Sequence, residues 1–503
     1  MNHIIKIISF AVCTGVVCAC WGGNEQVQAT SMTRIMTLGV AKTGTSHKPA
    51  FTLNDKPFYP VVAGVHYSSI TQELIQSKRQ EGFNALQFYI DTCNAGKPDL
   101  REAFDICMRE GMPVLAEVHE WEFWKYLQSK PDLNMIMRSG ERVRHFPDYA
   151  NPDALREHLS RYRKAAEALK EYAGRPVIAV SLGAYDAYHL PDGEVHADFK
   201  VPQPAENTTN LAYGPHALKM FNDFLRLGNS DRNSSRGRTM VDRLPGSRNE
   251  AGSDEAWRQW LLFRRHLVKC WLADTVKAVR EITGLPITVT LDLNFALIEK
   301  FATPPAEWDD LLDFVIVYCY HSELSPRDYI PPLYRSIWTN YSSRRAPIVT
   351  LIEFSSALSG KSAGSAYAAA SAPFSSGMIA APPWTDKQHN QQRIDDFMGW
   401  INSHKDSLTT SEPERARILI IVDRSEICLG NPIPQPLADA GIACDIAYIT
   451  EGQKPDGLNE YQFLLAPQWT WDHLPLSLRE KVRILSPSSL SDILKSHDVD
   501  KAS

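Results

Sequence analysis

A chain of 503 residues, 44% hydrophobic and 22% charged, has room for one large domain and an appendage and can bury a sizeable core. Its formal charge of −6 is small for that length and its basic residues form no stripe, which excludes electrostatic support for nucleic-acid binding and suits a neutral, polar partner. The nine cysteines make no disulfide framework or metal-ligand spacing: three lie near the N-terminus, and Cys93, Cys107, Cys270, Cys319, Cys428 and Cys444 are scattered. Most of these six read as buried thiols, with Cys93–Cys107 and Cys428–Cys444 near enough in sequence for local bridges. Neither a structural metal nor a cofactor is expected.

In chain order, Ile4 to Ala19 is almost continuously apolar and is followed by a polar stretch from Cys20 to Glu25. A segment of that length reads as a secretory leader before it reads as a spanning helix. Val17-Cys18-Ala19-Cys20 looks like a lipobox with Cys20 as the lipidated residue. The alternatives are a plain leader over residues 1–29, cleaved near Ala29, and a buried hydrophobic helix. The first two export the protein, and membrane association is expected only through a lipid at Cys20.

After a polar linker to about Pro57, short apolar runs alternate with amphipathic stretches, the pattern of βα units on a parallel sheet. The predicted strands are Tyr59 to Val65, Asn84 to Tyr89, Pro113 to Val118, Val177 to Leu182, Ile287 to Leu291, Phe314 to Tyr318, Ile348 to Ile352 and Gly377 to Ala380. Eight such runs predict a (β/α)8 TIM barrel over residues 50–405. Predicted helices include Leu74 to Glu81, Leu100 to Arg109 and a long one opened by Asn151-Pro152, a favourable cap and first turn. Ser253 to Glu281 is strongly periodic, and its tryptophans read as core rather than as a sugar platform. Gly228 to Gly252, rich in Ser, Arg, Asn and Gly, reads as a mobile insertion on the catalytic side. A last barrel helix is expected over Gln391 to His404.

A second unit follows over residues 414–490, with strands at Ala416 to Val422, Asp445 to Tyr448 and Tyr461 to Ala466 and a helix at Pro434 to Gly441. It reads as a small flavodoxin-like or amidotransferase-like α/β domain, short of the usual strand complement. It carries no nucleophile elbow and no phosphate-binding glycine loop, so packing or homo-oligomerisation is its expected role.

In a barrel of this kind the C-terminal strand ends open onto one face. Two carboxylates reach that face three β/α repeats apart: Asp186, shortly after the fourth run, and Glu353, directly after the seventh. Paired carboxylates there suit glycoside hydrolysis. His66, Tyr67, Gln87, Glu117, Trp121, Asn294, Tyr318 and Trp384 lie at or after other strand ends and offer the hydrogen-bonding groups and flat apolar faces that a sugar needs. Taken singly these are weak signals. His66 reads equally as a satisfied rim histidine, and Glu117 as a partner of an arginine holding the third strand end.

Gly64-Val65-His66-Tyr67, Gly82 to Gln87 and Gly111 to Leu115 resemble the opening of clan A glycoside hydrolases. Phe221-Asn222-Asp223-Phe224-Leu225, followed by the Trp257 to Glu281 helix and Pro286 to Thr290, is similar to family 42 β-galactosidases, which also carry a flavodoxin-like domain. The resemblance implies an acid/base at Asp186, a nucleophile at Glu353 and a carbohydrate substrate. It departs at strand four, where Tyr185-Asp186 stands in place of the clan's Asn-Glu. Asp is one methylene shorter, and the roughly 5–5.5 Å carboxyl spacing of retaining enzymes contrasts with roughly 6.5–9.5 Å for inverting ones. His189, Asp192 and Glu194 are the substitutes in that loop. The rival expectation is a surface glycan-binding lipoprotein that has lost its acid.

Overall fold

The computed structural model describes residues 35–42, 49–183, 213–230, 242–245, 249–292, 310–319, 335, 347–353, 363–381, 387–411, 413–423, 433–449, 454–455 and 457–502. The chain enters through an antiparallel sheet of β1 (Leu38–Lys42), β2 (Pro49–Leu53) and β3 (Lys56–Phe58). This replaces part of the expected polar linker. Asn54 and Asp55 take φ of 53° and 63° between β2 and β3, the left-handed pair that a two-residue hairpin needs and that these side chains tolerate.

Eight parallel strand positions then form the barrel. They are β4 (Val61–Val65), β5 (Ala85–Asp91), β6 (Val114–His119), β9 (Val177–Ser181), a split fifth strand of β10 (Ile287–Thr288) and β11 (Thr290–Asp292), β12 (Val315–Cys319), β13 (Ile348–Glu353) and β14 (Gly377–Ala381). An antiparallel hairpin of β7 (Asn134–Ile136) and β8 (Arg142–Pro147), with no counterpart in the sequence reading, intervenes before the fourth barrel strand. The β14–β4 ladder joins last to first. At the split, β10 pairs with β9 and β11 with β12, and Ile316 N donates to Val289 O at 3.2 Å between the halves. All eight predicted runs occupy barrel strands, displaced by at most a few residues.

The helices follow their sequence signals. In α1 (Gln72–Glu81) the Thr71 side chain accepts from Leu74 N at 3.1 Å, and Gly82 closes the helix at φ 105°. Next come α2 (Pro98–Glu110), α3 (Trp121–Gln128) and α4 (Pro152–Lys170), where Asn151 accepts from Asp153 N at 2.9 Å. The helix α5 (Pro215–Ser230) runs into the segment read as an insertion. In that segment Leu244 is buried and Tyr213 donates to Pro245 O at 2.9 Å, so an apolar residue amid polar ones anchors part of it. The 30-residue α6 (Asp254–Thr283) buries Trp257, Trp260 and Trp271, which are core as expected. The last barrel helix spans Lys387–Ser403.

The second unit is a parallel sheet of β15 (Ile418–Asp423), β16 (Cys444–Ile449), β17 (Phe463–Ala466) and β18 (Arg483–Ile484) in the order β16-β15-β17-β18. Numbered within the unit this is 2-1-3-4, which agrees with the start of the flavodoxin-like order. The short β18 has too little apolar sequence to be seen as a strand. The expected Cys93–Cys107 bridge does not form, Cys93 being an exposed and Cys107 a buried free thiol; Cys444 is also a buried free thiol, and Cys428, expected as its partner, lies outside the described residues. Among the described residues no helix is long and apolar enough to cross a membrane.

Candidate active site

Strand parity fixes which positions line the barrel. Val62, Ala85, Leu115, Ala179, Phe314, Ile316, Val349, Leu351 and Ile379 pack in one buried cluster with Phe51 of β2, which meets Phe314 edge-on at 5.2 Å. The small entry sheet thus covers the apolar, N-terminal end of the interior. Because successive side chains alternate, the same parity carried to the C-terminal ends reaches His66, Gln87 and Tyr89, Glu117 and His119, Ser181, Thr290, and the positions of Asp292, Tyr318 and Glu353. The interior changes from apolar to polar along the barrel axis.

The described wall at this end is a buried network on β5 and β6. Gln87 Nε2 donates to Glu117 Oε2, and His119 Nε2 lies 3.0 Å from Glu117 Oε1. Tyr89 stacks on His119 with ring centroids 5.9 Å apart, and its hydroxyl donates to Gln87 Oε1 at 3.5 Å. Gln87, Tyr89, Glu117 and His119 are all less than a tenth exposed. A buried carboxylate must be hydrogen-bonded or paired, and among the described residues these groups partner Glu117; the arginine expected for it is not among them.

The adjoining loop is held just as closely. Asp91 accepts from Cys93 N at 2.9 Å and from Glu122 N at 3.0 Å, so a carboxylate on the second strand satisfies a first-turn N–H of α3. Glu120 Oε1 lies 2.7 Å from His158 Nδ1 of α4, and His158 Nε2 is 2.7 Å from Thr275 Oγ1 of α6. The Thr275 hydroxyl donates to Trp271 O at 2.9 Å. The third strand end is therefore tied to two outer helices through buried polar groups. Tyr89, His119, Asp91 and Glu120 were not among the predicted site residues, although the period-2 alternation that picks out Gln87 and Glu117 also picks out Tyr89, Asp91 and His119.

Glu353 ends β13, with its backbone in register with Ala381 at the rim of the seventh strand. On the fourth strand the chain leaves β9 through Gly183 at φ 98°, where an added Cβ would stand 2.8 Å from Val118 O. Only glycine fits that exit. The Tyr162 hydroxyl fixes it from below by donating to Leu182 O at 2.8 Å. Asp186, with its substitutes His189, Asp192 and Glu194, lies outside the described residues, as do Asn294 and Trp384. Trp121 opens α3, and Tyr318 sits on β12 in register with Leu351. His66 is exposed, with Nδ1 2.7 Å from Ser68 Oγ and its ring stacked on Tyr67 at 4.7 Å. Tyr67 is buried, and burial, then Asp99, the Cys93 thiol and Asp91, push its hydroxyl above the ordinary tyrosine range. The structure thus joins Gln87 to Glu117 and His66 to Tyr67.

A nearly closed parallel barrel whose polar end carries a buried carboxylate network and a carboxylate-bearing seventh strand is the class of molecule that the fold defines. No protein-family profile matches the chain. No curated protein matches it either. Among solved structures it is similar to the catalytic domain of β-amylase from Paenibacillus polymyxa, at 10% identity over 70% of this chain and 99% of that chain, with a TM-score of 0.47. It is also similar to BpGH50, at 11% identity over 75% and 84% with a TM-score of 0.43. A third match is a GH113 β-1,4-mannanase, at 10% identity over 70% and 99% with a TM-score of 0.36. At these values the fold assignment rests on the strand ladder itself.

Proposed function

We propose that the protein is an exported glycoside hydrolase that cleaves O-glycosidic bonds of oligo- or polysaccharides by a retaining, two-carboxylate mechanism, as a β-galactosidase-like or related β-glycosidase. The observation that carries this reading is the position of Glu353 at the rim of the seventh strand, in a barrel whose interior turns polar at that end. In this reading the Glu353 carboxylate attacks the anomeric carbon while Asp186 gives its proton to the departing oxygen, forming a glycosyl ester. Asp186 then takes a proton from water, which attacks the same carbon and frees Glu353. The cycle needs Asp186 neutral and Glu353 ionised at the start, which a less solvated setting for the former would supply. His66, Tyr67, Gln87, Glu117, Trp121, Asn294, Tyr318 and Trp384 would hold the sugar, and the apolar N-terminal stretch with Cys20 would export and tether the chain.

The departure at Tyr185-Asp186 favours one rival, a surface glycan-binding lipoprotein. Incubation with natural β-linked oligosaccharides separates the two, because their alkoxide leaving groups need a competent acid. The enzyme releases sugar. A chain that binds these oligosaccharides without cleaving them is the binding protein.

A further inference from the structure

The second unit has the strand order of a doubly wound sheet. Such sheets take ligands at the carboxyl ends of the strands where the order reverses, which here is the crevice between β15 and β17. In this chain the barrel reaches that place. Arg258, in the second turn of α6, directs Nη2 to Asp423 Oδ2 at 2.8 Å and Nε to Oδ1 at 3.4 Å. Asp423 is the last residue of β15, and its backbone N–H donates to Thr470 Oγ1 at 2.7 Å from the helix that follows β17. Arg258 is fully buried and Asp423 nearly so. A second arginine repeats the pattern at the other end of the sheet. Arg335 lies 3.1 Å from the fully buried Asp445 near the start of β16, and Asp445 also accepts from the Tyr461 hydroxyl at 3.0 Å.

We propose that the second unit is self-liganded: Arg258 of the barrel occupies its switch-point crevice in place of a small molecule, and with Arg335 it fuses barrel and appendage into one cooperative unit. Paired domains ordinarily move relative to each other unless their interface is large and well made. A desolvated guanidinium–carboxylate pair resists that motion because a short slide breaks its charge-assisted contact while both groups are still buried, even though Arg258 keeps Glu255 of its own helix at 3.7 Å. The inference concerns the joint between the two units and holds whichever chemistry the barrel performs.

Differential scanning calorimetry of the whole chain tests it. The wild type should unfold in one transition, Asp423→Asn should lower the shared midpoint, and Asp423→Ala should split the transition in two. The double variant Arg258→Met with Asp423→Leu removes both charges at once and should fold with a single transition, since an apolar pair of similar volume can replace a buried ion pair. Titration of the wild type with FMN or ADP, taken as nucleotide probes of the crevice, should give no binding heat. Two separate transitions in the wild type, an unchanged midpoint for Asp423→Asn, or saturable binding of either nucleotide would each overturn the proposal.

Discussion

Glu117 and His119 stand two residues apart on the third barrel strand, on the same face, with Oε1 and Nε2 3.0 Å from each other and both side chains buried. The alternation of a strand makes them neighbours, and the polar end of the barrel makes them partners. Gln87 on the adjacent strand engages the other carboxylate oxygen, so the acid is held from two sides.

Removing Glu117 takes the acceptor from the buried Gln87 amide, and a buried polar group left unsatisfied typically costs about 1–3 kcal/mol. Glu117→Ala should lose stability on that scale in urea unfolding. Glu117→Gln, which keeps the shape and one acceptor, should lose less. If both variants unfold like the wild type, the network does not hold the third strand end.

Glu353→Gln tests the nucleophile. Loss of the attacking carboxylate should lower turnover at least about 10³-fold, or roughly 4 kcal/mol of barrier stabilisation. Added azide should restore turnover of an aryl glycoside and give a glycosyl azide of inverted configuration. Near-wild-type turnover by this variant would move the nucleophile elsewhere.

The barrel was legible because each of its strands is a run of apolar residues bounded by polar ones, and a buried parallel strand requires little else. Phe51 and Phe58 were passed over because their strands, β2 and β3, are short, each contain a proline and lie in a stretch that reads as a linker; only their role in covering the barrel floor makes them structural. At the site, Gln87 and Glu117 were legible as unusual residues at apolar strand ends, whereas His158 was not. It meets Glu120 from a helix that reads as an ordinary amphipathic surface. No sequence spacing encodes a contact between a strand end and the buried face of a helix packed outside it. The expected Cys93–Cys107 bridge failed for a similar reason: Cys107 faces the core from α2 while Cys93 lies on an exposed turn.

Those buried thiols make an alkaline prediction. Burial pushes Cys107 and Cys444 up to about 12 from the ordinary value of 9.0. Between these values the unfolded chain has released the proton and the folded chain still holds it, so the unfolded state binds fewer protons and stability falls as pH rises. The thiols' contribution is fully present below about pH 9 and is lost as pH rises towards about 12, at about 1.4 kcal/mol per pH unit for each thiol. Urea unfolding at pH 8 and pH 10.5 should show the fall, and Cys107→Ala with Cys444→Ala should flatten it. An identical pH slope in the double variant would mean that other groups carry the alkaline loss.

The acid is tested by the leaving group. Gly183 sends the chain out of the fourth strand in a direction that no other residue allows, and Asp186 follows three residues later. A phenolate of low pKa departs unassisted, while a sugar alkoxide needs a proton as the bond breaks, so the cost of removing the acid depends on what leaves. Asp186→Ala should lose roughly 10²–10⁴-fold on an oligosaccharide and far less on a dinitrophenyl glycoside. The pH profile of its turnover on the activated substrate should also lose the limb assigned to the acid. Equal losses on both substrates would make Asp186 structural and pass the role to Glu194 or His189 in the same loop. If neither of those responds, no acid stands after the fourth strand, and a barrel that binds glycans without cutting them is the reading that remains.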